Sequence, residues 1–191
     1  MRILIVPGLG GSEPEHWQSQ WERSYPGATR VEQSDWNRPI RARWMRRLVE
    51  AIENTPGAIL VGHSLGCVLI AHLAHQRPDL AIGGALLAAP ADVDRADRAQ
   101  PELRDFAPTP LARMPFPAVV VASTNDPFST IDRARLLARV WGASFVDVGA
   151  CGHINVASGF GPWPQGESIL RELARSANAP WADPLVDRAT A

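Results

Sequence analysis

Four short stretches of this chain, residues 3–6, 59–61, 85–88 and 118–122, are unbroken apolar runs flanked by Gly or Pro. A strand with one face in water alternates apolar and polar residues. An unbroken run offers no face to water and belongs in a sheet covered on both sides. Sheets of that kind are parallel, because the crossover helices that join parallel strands are what cover them. Residues 144–148 read as a further strand, and 28–32 as a weaker one at an edge.

Helical patterns fill the intervals. Ser12-Glu13-Pro14-Glu15 resembles a capping box with Pro in the first turn, which predicts a helix to about Arg23. Pro39 opens a second, with Trp44, Leu48 and Ile52 on one face. Residues 65–76 form a third, stopped before Pro78. Ser129-x-x-Asp132 caps a fourth that ends at Gly142. Pro164 opens the last, to about Ser176. Strand–helix alternation of this kind predicts a doubly wound α/β fold. Residues 1–177 read as a single domain and 178–191 as a C-terminal tail. The stretch 92–117, rich in Pro, Asp and Arg, reads as a solvated crossover with one short helix, or alternatively as a small lid over a pocket.

Bulk properties narrow the function. The chain has 191 residues, 20% charged and 46% hydrophobic, with a net charge of −1. No basic surplus exists to neutralise phosphates, so nucleic-acid binding has no electrostatic support. Two cysteines, Cys67 and Cys151, make no disulfide framework and no zinc spacing with histidine. No apolar run approaches the ~18–20 residues of a membrane span, and the apolar start is shorter than a secretory core of ~7–15 residues. The expectation is a cytoplasmic protein with no membrane association.

Chemistry concentrates at Gly62-His63-Ser64-Leu65-Gly66, a Gly-x-Ser-x-Gly between a buried strand and a helix. In a nucleophile elbow, the strained strand-to-helix turn pushes the serine Oγ into the open above the helix N-terminus. The bland alternative is an ordinary Gly-rich βα turn. A serine hydroxyl needs a base. Of five histidines, His63 is expected to point away from the Ser64 Oγ. His72 and His75 fall in the following helix, and His16 in the first. His153 follows the last strand, at the carboxyl edge of the sheet where sites of open α/β folds form. The orienting acid should lie between Ser and His in sequence. Asp126, after the run 118–122, is preferred to Asp92, after the preceding strand. An oxyanion hole is expected from the backbone N–H of Leu65 and of Leu9 or Gly10 in Pro7-Gly8-Leu9-Gly10-Gly11-Ser12. That loop lacks the spacing of a phosphate cradle.

Taken together, these residues resemble the retinoblastoma-binding-protein/YdeN-like serine hydrolases of the α/β-hydrolase superfamily. The likeness runs over nearly the whole chain. It includes Pro7 to Ser12 with His16-Trp17, Asp35-Trp36-x-x-Pro39, the elbow, Ser123-x-Asn125-Asp126-Pro127, Gly152-His153-x-Asn155 and Gly161-Pro162-Trp163-Pro164. The resemblance implies a minimal, cap-less α/β-hydrolase fold, with a parallel sheet of about six strands in the order 2-1-3-4-5-6. It also implies esterase-like cleavage of small-molecule acyl substrates by Ser64, Asp126 and His153, with no metal or other cofactor. An acyltransferase or thioesterase would use the same triad. A protein-binding module on a hydrolase scaffold is the rival of a different class, and the family name itself records protein binding. Trp17, Trp36 and Trp163 fall beside the expected site and are candidate pocket residues, although core packing is the commoner fate of Trp.

Overall fold

The computed structural model describes residues 1–95 and 101–177; the expected tail, 178–191, and residues 96–100 of the crossover lie outside the described residues. Six strands, β1 (Ile3–Val6), β2 (Ala28–Arg30), β3 (Ala58–His63), β4 (Ile82–Ala88), β5 (Ala118–Ala122) and β6 (Ser144–Asp147), pair in parallel in the order β2-β1-β3-β4-β5-β6. Five helices, α1 (Trp17–Ser24), α2 (Arg41–Asn54), α3 (Leu65–Gln76), α4 (Ile131–Trp141) and α5 (Pro164–Ser176), cover the two faces. This is the expected α/β fold with the expected strand order.

The unbroken apolar runs divide their residues between two cores, because successive strand side chains point to opposite faces. Leu4, Val6, Leu60, Leu87 and Val120 face one core, with Trp44, Leu48 and Ile52 of α2 and Leu137 and Trp141 of α4. Ile3, Ile5, Ile59, Val61 and Val121 face the other, with Trp17 and Trp21 of α1 and Leu170 and Leu173 of α5. Helix α3 is buried from Leu65 through Ala74, as befits a helix that is apolar on every side.

Three local expectations need correction. Helix α1 starts at Trp17, and its N-cap is His16, whose Nδ1 accepts the Gln18 N–H at 3.1 Å. Ser12 caps nothing; it adopts φ 61° and donates its hydroxyl to Gln18 Oε1 at 2.7 Å. Helix α4 is capped by Thr130, whose Oγ1 accepts the Arg133 N–H at 3.2 Å, and not by Ser129. At α4 two capping residues, Ser129 and Thr130, stand side by side and only the backbone path selects one; at α1 the cap used, His16, is not among the residues that favour that position. The crossover after β4 is not simply solvated. Val93, Phe106, Met114 and Phe116 enter the core, and a 3-10 helix spans Pro101–Phe106. Its apolar residues follow neither helical nor strand periodicity, so pattern reading misses them. No helix among the described residues is long and apolar enough to cross a membrane.

Candidate active site

Ser64 sits between β3 and α3 with φ 53° and ψ −119°, a sparsely populated conformation for a residue with a side chain. Such strain, of order 1–3 kcal/mol, persists only where the surroundings over-determine it. Here the Ser64 N–H donates to the Ala88 carbonyl at 3.0 Å. Two glycines allow the close approach. A Cβ on Gly66 would stand 2.1 Å from the Val6 oxygen, and one on Gly8 would stand 3.0 Å from Leu65 N and Ser64 Cβ. The elbow and the loop after β1 therefore pack backbone to backbone. Cys67, in the first turn of α3, is buried, and burial pushes its thiol well above the usual range. It gives its S–H to the Ala88 carbonyl at 3.3 Å and is an inert packing residue.

The loop after β6 carries His153 back toward Ser64, and side chains from three other segments hold it. Ser123 Oγ accepts the Cys151 N–H at 2.9 Å, and Asn125 Oδ1 accepts the Gly152 N–H at 2.7 Å. Trp17 Nε1 donates to the Ile154 carbonyl at 2.9 Å, and His63 Nε2 stands 2.9 Å from the His153 carbonyl, a distance at which it donates. The imidazole Nδ1 of His153 then lies 2.9 Å from Asp126 Oδ2 and 3.0 Å from Oδ1, with both side chains almost fully buried. Asp126 Oδ1 also accepts the Phe128 N–H at 2.8 Å, which fixes the carboxylate in its own turn. Asp92, the competing acid, faces elsewhere: it lies 3.2 Å from Arg133 Nε, and Asp94 pairs with the same guanidinium.

Ser64 and His153 line one cavity of about 170 Å³. Leu9 and Leu65, two of the three expected oxyanion donors, line it as well. The third, Gly10, spends its N–H on the Trp36 carbonyl at 3.0 Å. None of the three candidate pocket tryptophans lines the cavity. Trp17 and Trp163 are buried against each other, ring centroids 4.8 Å apart, and Trp36 packs on Trp44 at 5.5 Å. Trp17 acts on the site at one remove, through its bond to the loop of His153.

Two histidines of the lining were given no site role by the sequence reading. His63 was expected to point away and His16 to sit within a helix, yet His16, His63 and His153 form a row with successive ring centroids 4.8 Å apart. Neither periodicity nor spacing flags His16; its only signal is adjacency to Trp17 after the Gly-rich loop. Burial, reinforced by His153 and then Arg30, lowers the His16 pKa to about 3, and burial holds His63 well below the usual histidine range. Both rings are neutral at physiological pH.

That neutrality has a consequence for stability. Unfolded histidine takes a proton near pH ~6.5, whereas folded His16 refuses one down to about pH 3. The stability is complete above pH ~6.5 and is lost as the pH falls toward the folded value, because the unfolded chain binds more protons. His16 alone should cost about 2 kcal/mol at pH 5, and His63 adds in the same direction. His16→Asn keeps a capping acceptor for the Gln18 N–H and removes the titration. Denaturant melts at pH 7 and pH 5 should show a smaller acid loss in this variant than in the parent protein. Equal losses would remove His16 from the account.

Comparison with known proteins places this geometry. No curated protein sequence matches the chain. Among solved structures, a YdeN-like hydrolase from Pectobacterium atrosepticum is 36% identical, over 94% of this chain and 92% of that one, with a TM-score of 0.81. The ydeN gene product of B. subtilis is 20% identical, over 90% and 97% of the two chains, at a TM-score of 0.74. A thermophilic esterase from Thermogutta terrifontis is 15% identical, over 93% and 90%, at 0.64. The last two likenesses bear on the fold alone. The serine hydrolase family profile matches residues 3–172, a span that takes in the elbow, Asp126 and His153, and the chain therefore belongs to the serine hydrolase family, within the α/β-hydrolase superfamily.

Proposed function

We propose that the protein hydrolyses carboxylic esters of small molecules through an acyl-enzyme on Ser64, with His153 as base and Asp126 as its orienting acid. The observation that carries this reading is His153, held by Nδ1 against a buried carboxylate at 2.9 Å while lining the same cavity as Ser64. Asp126 accepting from Nδ1–H leaves the Nε2 lone pair free to take a proton.

In the first half-reaction Ser64 Oγ bonds to the ester carbonyl carbon as its proton passes to His153 Nε2. The negative charge that forms on the carbonyl oxygen meets the N–H groups of Leu65 and Leu9. Leu65 suits the role because the first N–H groups of α3 have no partner within the helix, and the helix dipole favours an anion there. Leu9 is preferred to Gly10 because the Gly10 N–H is already engaged by Trp36. The carbonyl re-forms, the carbon–oxygen bond to the alcohol breaks, and imidazolium returns its proton to that oxygen. Water then repeats the sequence against the acyl-enzyme and regenerates Ser64. Asp126 stays ionised throughout and stabilises the transient imidazolium. The neutral rings of His63 and His16 add no charge to compete with it.

A fluorophosphonate probe tests the nucleophile directly. Intact protein should gain one covalent phosphonyl group, mapped by mass spectrometry of the digest to the peptide carrying Ser64. Folded protein that takes up no probe would favour a binding module on a hydrolase scaffold instead.

A further inference from the structure

The strand order divides the cavity into two unlike halves. The elbow ends β3, so the loop after β1 stands on one side of Ser64 and the segments after β4 and β5 stand on the other. The first side supplies Ser12, Glu13 and His16 to the cavity wall, the second Ala91, Leu103 and Phe128. Apart from Leu9 the first set is polar, whereas the second is apolar and meets the catalytic side through Phe128, whose ring lies 4.5 Å from that of His153; Asn155 also lines the cavity.

The apolar half is closed by a fixed wall. Leu103 stands in the 3-10 helix Pro101–Phe106 and is half-buried against the core. Its helix is tied down at three points. Phe106 is fully buried and meets Trp44 edge to face at 5.7 Å. The Phe106 carbonyl lies 2.8 Å from His72 Nε2, and Asp105 Oδ2 accepts the Arg41 N–H at 2.7 Å. Moving Leu103 outward would break a core contact and two hydrogen bonds. The helix Pro101–Phe106, part of the segment that a sequence reading allows as a lid, is therefore a tethered end-stop.

Size sets the class of acyl group. Binding pockets for drug-sized ligands run to roughly 300–1,000 Å³, and this cavity has about 170 Å³. The whole cavity, both sides of Ser64 together, is thus smaller than a drug-sized ligand needs, and the β4–β5 side is only part of it. We infer that the β4–β5 side of Ser64 is the acyl pocket, that it accepts short unbranched acyl chains, and that Leu103 sets its depth. The polar β1 side then receives the alcohol. The inference rests on the Ser64 acyl-enzyme proposed above and adds the acyl class to it.

The test holds the leaving group constant. kcat/KM is measured for the 4-nitrophenyl esters of acetate, butyrate and octanoate with the wild-type protein, Leu103→Ala and Leu103→Phe. A pocket that refuses methylenes changes kcat/KM by about tenfold or more. Wild type should therefore favour butyrate over octanoate by at least about that factor. Leu103→Ala should raise the octanoate-to-butyrate ratio about tenfold, and Leu103→Phe should move the optimum to acetate. The two variants change a half-exposed position in opposite directions, and melting curves verify that both are folded. Octanoate matching butyrate in the wild type, or a ratio unmoved by either substitution, overturns the assignment of the pocket. Mass spectrometry of the quenched reaction separates the two levels. Acyl-Ser64 with no chain-length preference leaves the mechanism standing and removes only the pocket. No turnover and no acyl-Ser64 with any ester takes the pocket down together with the nucleophile.

Discussion

Ser64→Ala should lower kcat for ester hydrolysis by about 10⁴–10⁶, the loss seen when a triad nucleophile is removed. The substitution deletes one oxygen and leaves the elbow otherwise intact. The glycines that admit the turn, Gly8 and Gly66, are untouched, as is the bond from the Ser64 N–H to the Ala88 carbonyl. Alanine tolerates the φ of 53° at this position no worse than serine does, so the melting curve should hardly move. A large kinetic loss without a thermal one is the signature of a nucleophile. Purified Ser64→Ala with full activity would end the reading of Ser64 as nucleophile; Cys67, three residues on, does not take its place, being buried with its thiol pushed well above the usual range.

Asp126→Asn should cost about 10⁴ in kcat. Asparagine keeps the size of the side chain and can still accept the Phe128 N–H, which bonds Asp126 Oδ1 at 2.8 Å. What it loses is charge at the Nδ1 side of His153. The amide can donate to Nδ1, and the ring proton then moves to Nε2, where it blocks acceptance from Ser64. Asp92→Asn is the informative partner experiment. Asp92 pairs with Arg133, both side chains being largely buried, so its loss weakens the anchor between the crossover and α4. The expected result is a lower melting temperature with kcat/KM nearly preserved, the reverse of the Asp126 pattern. A crippled, fully folded Asp92→Asn protein would move the acid to Asp92 and leave the Ser64–His153 pair in place.

The fold was legible because burial on two faces leaves a direct trace in sequence. The runs at 3–6, 59–61, 85–88 and 118–122 became four neighbouring strands of the sheet, and α3 spans the predicted residues 65–76. Weak or absent periodicity marks where reading failed. The crossover buries Phe106, Met114 and Phe116 at irregular spacings. Adjacent capping residues at 129–130 allow two helix starts, and the backbone uses Thr130; at α1 it passes over Ser12 and uses His16, a residue with little capping preference.

By itself the sequence determined the class of fold, the strand order through its family resemblance, the elbow at Ser64, and the short set of residues from which a triad can be drawn. Tertiary structure decided which of them meet. Asp126 and His153 are 27 positions apart, and His63 and the His153 carbonyl 90, yet each pair closes to 2.9 Å. It also sent Trp17 and Trp163 into the core, engaged the Gly10 N–H with Trp36, and brought Leu103 to the cavity wall. The physical reason is that periodicity reports how deeply each element is buried. Contacts between loops at the end of a sheet depend instead on strand register and on the path of each turn, which the sum of all other contacts sets.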